Sequence, residues 1–96
     1  MATELDVRLV PHLQAGVRLR FDRHSGRYLL LSPERGLLLN ASAAEIMRLC
    51  DGTSRIGELI RELAQRGVSE KRARTDVCAL LGEFWQRGLV GLRAVP

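Results

Sequence analysis

The chain has 96 residues, 46% apolar and 27% charged, with a net charge of +4 from fourteen arginines and one lysine against eleven acids. Such a length holds one domain with a modest core. This composition excludes a disordered chain, no apolar run approaches the ~20 residues of a membrane helix, and two cysteines are too few to staple a secreted fold. Residues 1–6 carry neither the basic nor the apolar region of a signal peptide, so the expected location is the cytoplasm.

Residues 1–15 read as an N-terminal arm with no clear period, although Leu5, Val7, Leu9 and Val10 equip it to dock or pair. Residues 17–22 alternate, with Val17, Leu19 and Phe21 on one face, as a half-buried strand does. A turn closing at Gly26 leads to a returning strand over residues 27–31. Pro33 suits the second position of a type I turn that Gly36 closes. A third strand then covers residues 37–40, and short connections make the three an antiparallel meander. Leu37, Leu38 and Leu39 carry no Lys or Pro guard, so as a sheet edge they form an open template for another strand.

Ser42 and Glu45 have capping-box spacing, which predicts a helix from Ala43 to about Cys50. A second helix is expected over residues 54–65, with Ile56, Leu59, Ile60 and Leu63 on one face and Gly67 ending it in the left-handed conformation. Ser69 is placed to cap a third helix reaching about Gln86. It carries two apolar stripes, Ala73–Val77–Leu80–Phe84 and, beside it, Arg74–Cys78–Leu81–Trp85. Residues 89–96 are a short tail. The expected fold is α+β: a single domain, 1–96, with an arm (1–15), a three-stranded antiparallel sheet (16–40), three helices (41–88) and the tail (89–96). The turn between the last two helices makes it winged-helix-like.

Chemistry for catalysis is absent from the pattern. Cys50 and Cys78 lie far apart with no histidine at ligand spacing, and read as buried apolar side chains. His12 falls in the arm and His24 in a turn, with no motif placing a Ser or Cys beside either, so both read as solvated. Glu34 reads as a solvated turn residue beside Arg35. No Gly-rich phosphate loop is present. The chain is therefore expected to be no enzyme, to bind no metal or cofactor of its own, and to hold a peptide instead. Strand addition along residues 37–40 would supply main-chain bonds, the alternative being a leucine strand buried on both faces. The second stripe of helix three either packs on helix one or, where sheet and helix leave a groove, lines it with Leu81 and Trp85 at the floor and Arg74 at the rim.

Pro11-x-Leu13, Gly16-Val-Arg-Leu-Arg20, Gly26-Arg27, Leu30-Leu-Ser-Pro-Glu-Arg35, Leu39-Asn40, Ala43-Ala-Glu-Ile46 and Leu49-Cys-Asp-Gly52 together resemble the protein D family of pyrroloquinoline quinone (PQQ) biosynthesis, PqqD. The resemblance spans nearly the whole chain. It implies a peptide chaperone, the founding type of the recognition element of ribosomal-peptide pathways. Such a protein binds the ribosomally made precursor peptide and presents it to a radical S-adenosylmethionine enzyme that cross-links its Glu and Tyr. The family places the peptide along the third strand and against the third helix, here Leu37, Leu38, Leu39 and Asn40 facing Arg74, Cys78, Leu81 and Trp85. A homodimer exchanging strands through residues 1–40 is also expected, with no nucleic acid or membrane partner. The alternative is a small winged-helix DNA-binding protein using Lys71, Arg72 and Arg74 at the start of helix three. Against it, the hairpin precedes the helices and no basic wing follows them.

Overall fold

The computed structural model describes residues 4–96; residues 1–3, which open the expected arm and the span assigned to strand exchange, lie outside the described residues. In chain order the elements are β1 (Val10–Leu13), β2 (Arg18–Asp22), β3 (Arg27–Leu31), β4 (Gly36–Leu38), α1 (Ala41–Leu49), α2 (Ile56–Gln65), α3 (Glu70–Gln86) and β5 (Val90–Arg93). The meander is present, with order β2-β3-β4 and antiparallel pairing. Val17, Leu19, Leu30, Leu37 and Leu39 turn inward onto a core shared with Ala43, Ile46 and Met47 of α1, Ile56, Ile60 and Leu63 of α2, and Ala73, Val77, Leu81 and Phe84 of α3.

The arm and the tail are more than an arm and a tail. Leu13 lies opposite Val90 and Val10 opposite Arg93, so β1 and β5 form a second, antiparallel sheet. Val10, Pro11 and Val90 are buried in it. A Cβ at Gly91 would run into the His12 ring, so a larger residue there would require that ring to turn aside. The arm is tied down further upstream, where Leu9 and Val7 accept through their carbonyls from the N–H groups of Ile56 and Gly57 at 2.9 Å. These bonds satisfy two orphan donors at the start of α2. That helix begins at Ile56, not Ser54: Arg55 is the extended N-cap residue, at φ -77° and ψ 157°, and its N–H donates to the Glu58 carboxylate at 2.8 Å.

The cap of α1 also differs from the sequence expectation. The side chain of Asn40, not Ser42, accepts from the Ala43 N–H at 2.8 Å, and the helix starts at Ala41. Ser42 is exposed on the first turn. We expect Asn40→Ala to cost about 1 kcal/mol of stability by removing this acceptor. Ser42→Ala should stay within about 0.5 kcal/mol, and urea denaturation of the two variants side by side checks the assignment. Ser69 caps α3 as expected, accepting from the Arg72 N–H at 3.2 Å, and Gly67 adopts φ +103° after α2.

Candidate peptide-binding edge

Strand β4 is an edge, and its backbone shows which groups are free. Leu39 N–H donates to Tyr28 O and Ser32 N–H to Arg35 O, both at 2.9 Å. Antiparallel alternation therefore turns the backbones of Arg35, Leu37 and Leu39 toward β3 and leaves the N–H and C=O groups of Gly36 and Leu38 pointing off the sheet. These are the groups an added strand would pair with.

Two clefts flank this edge, both with α3 or the chain just after it as the far wall. One, of about 410 Å³, lies at the start of β4 and is lined by Leu30, Leu37, Glu34 and Arg35 facing Arg87 and Leu89. The other, of about 260 Å³, lies beyond the end of β4. Asn40, Ala43 and Ile46 there face Asp76, Ala79, Leu80 and Glu83. The first cleft mixes leucines with Ser32, Glu34, Arg35 and Arg87, while the second is the more apolar, with Asp76 and Glu83 at its rim. Exposed ion pairs hold those charges loosely, Arg87 to Glu83 at 3.4 Å and Arg72 to Asp76 at 3.6 Å.

Of the residues expected from the sequence, the strand half comes together here. Leu37 lines the first cleft and Asn40 the second, Leu38 is 41% exposed, and Leu39 is buried with its backbone committed to β3. The helix half does not. Leu81 has no exposed surface and Cys78 is buried, so neither lines an open groove. Arg74 and Trp85 are exposed but lie about half a helical turn around α3 from Asp76, Ala79, Leu80 and Glu83. Arg74 pairs instead with Glu70, at 3.9 Å. The two stripes exchange a member: Leu81 belongs with Ala73, Val77 and Phe84 in the core, while Leu80 is half-buried at the cleft. Asp76, Ala79 and Glu83 give no sequence signal of their own, because a mixed face at helical spacing reads as solvent-facing.

Other reactive groups lie elsewhere. Burial, and secondarily the Asp51 carboxylate, pushes the half-buried Cys50 thiol up to about 12, which leaves it an inert thiol at neutral pH. Asp51 itself is held down to about 2, first by the backbone N–H groups of Thr53 and Ser54 and then by their hydroxyls. A carboxylate lowered in the folded state stabilises above its unfolded value near 3.8 and loses that contribution as pH falls toward about 2. The stability gap between the parent and Asp51→Asn should therefore hold from neutral pH to about 4 and then narrow toward pH 2. Urea midpoints across that range measure it.

The match to known proteins follows the same geometry. Residues 27–90, from the start of β3 to the start of β5, match the family model "Coenzyme PQQ synthesis protein D (PqqD)". The PqqA binding protein of Rhodopseudomonas palustris (strain BisB5) is 35% identical over 81 residues, covering 83% of this chain and 79% of that protein. The PqqA binding protein of Stutzerimonas stutzeri is 29% identical over 91 residues, covering 95% and 99%. The bifunctional coenzyme PQQ synthesis protein C/D of Methylorubrum extorquens is 39% identical over 56 residues, which is 58% of this chain and 15% of that protein. The fold matches the solution structure of the PqqD truncation of Methylobacterium extorquens PqqCD, a stand-alone recognition element for ribosomally synthesised and post-translationally modified peptides. Its TM-score is 0.74 and its identity 30%, over 85% of this chain and 88% of that one. On the family model and these relatives together, the chain belongs to the PqqD family.

Proposed function

We propose that this protein is a non-catalytic peptide chaperone of PQQ biosynthesis. It binds the ribosomally made precursor peptide and presents it to a radical S-adenosylmethionine enzyme for Glu–Tyr cross-linking. The observation that carries the reading is the free edge of β4: the unpaired backbone of Gly36 and Leu38 stands between two clefts walled by α3. A strand added there gains main-chain hydrogen bonds, and its alternate side chains enter the clefts. Leu37, Leu38 and Asn40 carry the strand side of the site. On α3 we assign Asp76, Ala79, Leu80, Glu83 and the adjacent Arg87, in place of Arg74, Cys78, Leu81 and Trp85. The leucines, alanines and charged side chains that line the clefts suit recognition of a peptide's side chains. The names of the PqqA-binding relatives support the choice of peptide.

Calorimetry with the precursor peptide, followed by amide chemical shifts, tests this. Saturable one-to-one binding is expected, with shifts at residues 36–40 and along 76–89. Shifts confined to the opposite flank of α3, around Arg74 and Trp85, would overturn the assignment, and an absence of binding heat and shifts would overturn the reading. Arg72 and Arg74 are interleaved with Asp76 and Glu70, so no duplex binding is expected. A sequence-selective gel shift lost on charge reversal at Lys71, Arg72 and Arg74 would favour the DNA-binding alternative. At high concentration, the same edge would receive a strand from a second copy. The resulting homodimer through residues 1–40 would compete with peptide. Because β1 is already paired with β5, the exchanging element would come from the β2–β4 meander.

A further inference from the structure

The sheet has a second face that the peptide edge does not use. Register sets Arg20, Leu29 and Leu38 in one row across the strands, and Arg18, Leu31 and Gly36 in the next. All of these point away from the core, since Leu19, Leu30 and Leu37 occupy the alternate, inward positions. Leu29 and Leu31 are half-buried and Leu38 is 41% exposed, yet none of the three is among the apolar side chains packed on the core. Helix α1 lies on the other side, with Arg48 over the inward Tyr28 ring. An antiparallel sheet with one solvated face normally alternates apolar-in with polar-out. Here two of the three outward positions of the middle strand are leucines, beside Arg27, and contiguous exposed apolar surface marks an interaction site.

We infer that this outer face is a docking surface for a folded protein partner whose matching surface is apolar at its centre and acidic at its rim. On the peptide-presenting reading above, on which this inference rests, that partner is the modifying enzyme. Leu29, Leu31 and Leu38 form the centre; Arg18 and Arg20, both exposed on the first strand of the sheet, form the charged side. The nearby acid, Asp22, is turned toward the hairpin, where its carboxylate accepts from the backbone N–H groups of His24 and Ser25 at 3.3 and 3.2 Å; it feels Arg20 as well, and one acid against two arginines leaves this side net positive. The charge decides between occupants. A second copy packed isologously would present the same patch, whose charged side carries more arginine than acid, so it offers Arg18 and Arg20 a poorer match than an acidic rim does. A bilayer favours apolar groups that project into it, whereas Leu29 and Leu31 are recessed on a sheet and suit a surface shaped to reach them.

The position also links the two sites. Leu38 offers its backbone to the peptide edge and its side chain to the outer face. A peptide strand added beside it extends that face with its own alternate side chains. A partner seated on Leu29, Leu31 and Leu38 therefore also touches the bound peptide, and reads chaperone and cargo as one surface.

Two variants test the inference, Arg18→Glu/Arg20→Glu and Leu29→Thr. Each is assayed for precursor affinity by calorimetry and for association with the purified radical enzyme by sedimentation. Each variant should weaken enzyme association by about tenfold or more, with peptide affinity changed by less than about twofold. Enzyme association equal to the parent's in both variants, with peptide binding intact, overturns this surface while leaving the presentation reading in place. A parent protein that binds peptide but not the enzyme overturns both. Parent binding to phosphatidylglycerol vesicles that is abolished by the arginine reversal would make the face a membrane surface, and would also overturn the proposal.

Discussion

A Leu38→Pro variant should fold with a denaturation midpoint close to the parent's and bind the precursor peptide about thirtyfold more weakly, or worse. The Leu38 N–H points off the sheet, so proline removes no bond of the β3–β4 ladder. An edge strand with its N–H toward solvent is a position where proline is tolerated. Proline also favours an extended residue before it, and Leu37 is already in a strand. For an incoming peptide, the loss is direct. One main-chain bond disappears and the peptide carbonyl that would accept it is left unpaired, a cost of roughly 2–3 kcal/mol at a desolvated edge. Leu39→Pro is the informative contrast. Its N–H donates to Tyr28 O at 2.9 Å and its side chain is buried, so that variant should lose stability itself. Calorimetry with unchanged affinity for a folded Leu38→Pro protein would mean that the peptide does not add at this edge.

The largest effect on stability is expected at Leu81. Its side chain is fully buried among Ile60, Val77, Phe84 and the rest of the shared core. Leu81→Ala removes that packing and leaves a cavity that the helix cannot fully close, at a cost of about 2–5 kcal/mol. A domain of this size is stabilised by roughly 5–15 kcal/mol in total, so melting should fall by about 10 °C or more. Trp85→Ala, four residues on at a site 52% exposed, should stay within about 0.5 kcal/mol despite the larger side chain. Thermal denaturation of the pair reads out which flank of α3 is core. Equal losses would mean that Trp85 is packed and that the assignment of α3 faces is wrong.

Local chemistry was enough for the elements whose signals lie within a few residues. Alternation over residues 17–22 identified β2, Pro33 and Gly36 placed the turn before β4, and Ser69 and Gly67 bounded α3 and α2, because each of those preferences acts through neighbouring backbone groups. The unguarded Leu37–Leu38–Leu39 run was legible for the same reason: the absence of an edge guard is visible in the chain itself. What required the tertiary structure involved a choice between locally equivalent options or a pairing of distant segments. Asn40 and Ser42 both suit a cap. The choice falls to Asn40 because Leu39 is committed to Tyr28 by its N–H and to the core by its side chain, so the helix starts at once after it. β1 and β5 come from opposite ends of the chain, and no local period announces their pairing. On α3 two apolar stripes lie side by side, and only contact with α2 and β5 selects Leu81 over Leu80 for the interior. The mixed face of Asp76, Ala79, Leu80 and Glu83 acquires meaning only when the chain folds back to set it beside the open end of β4. Side-chain type along a helix is local, whereas what that side chain faces is set by packing.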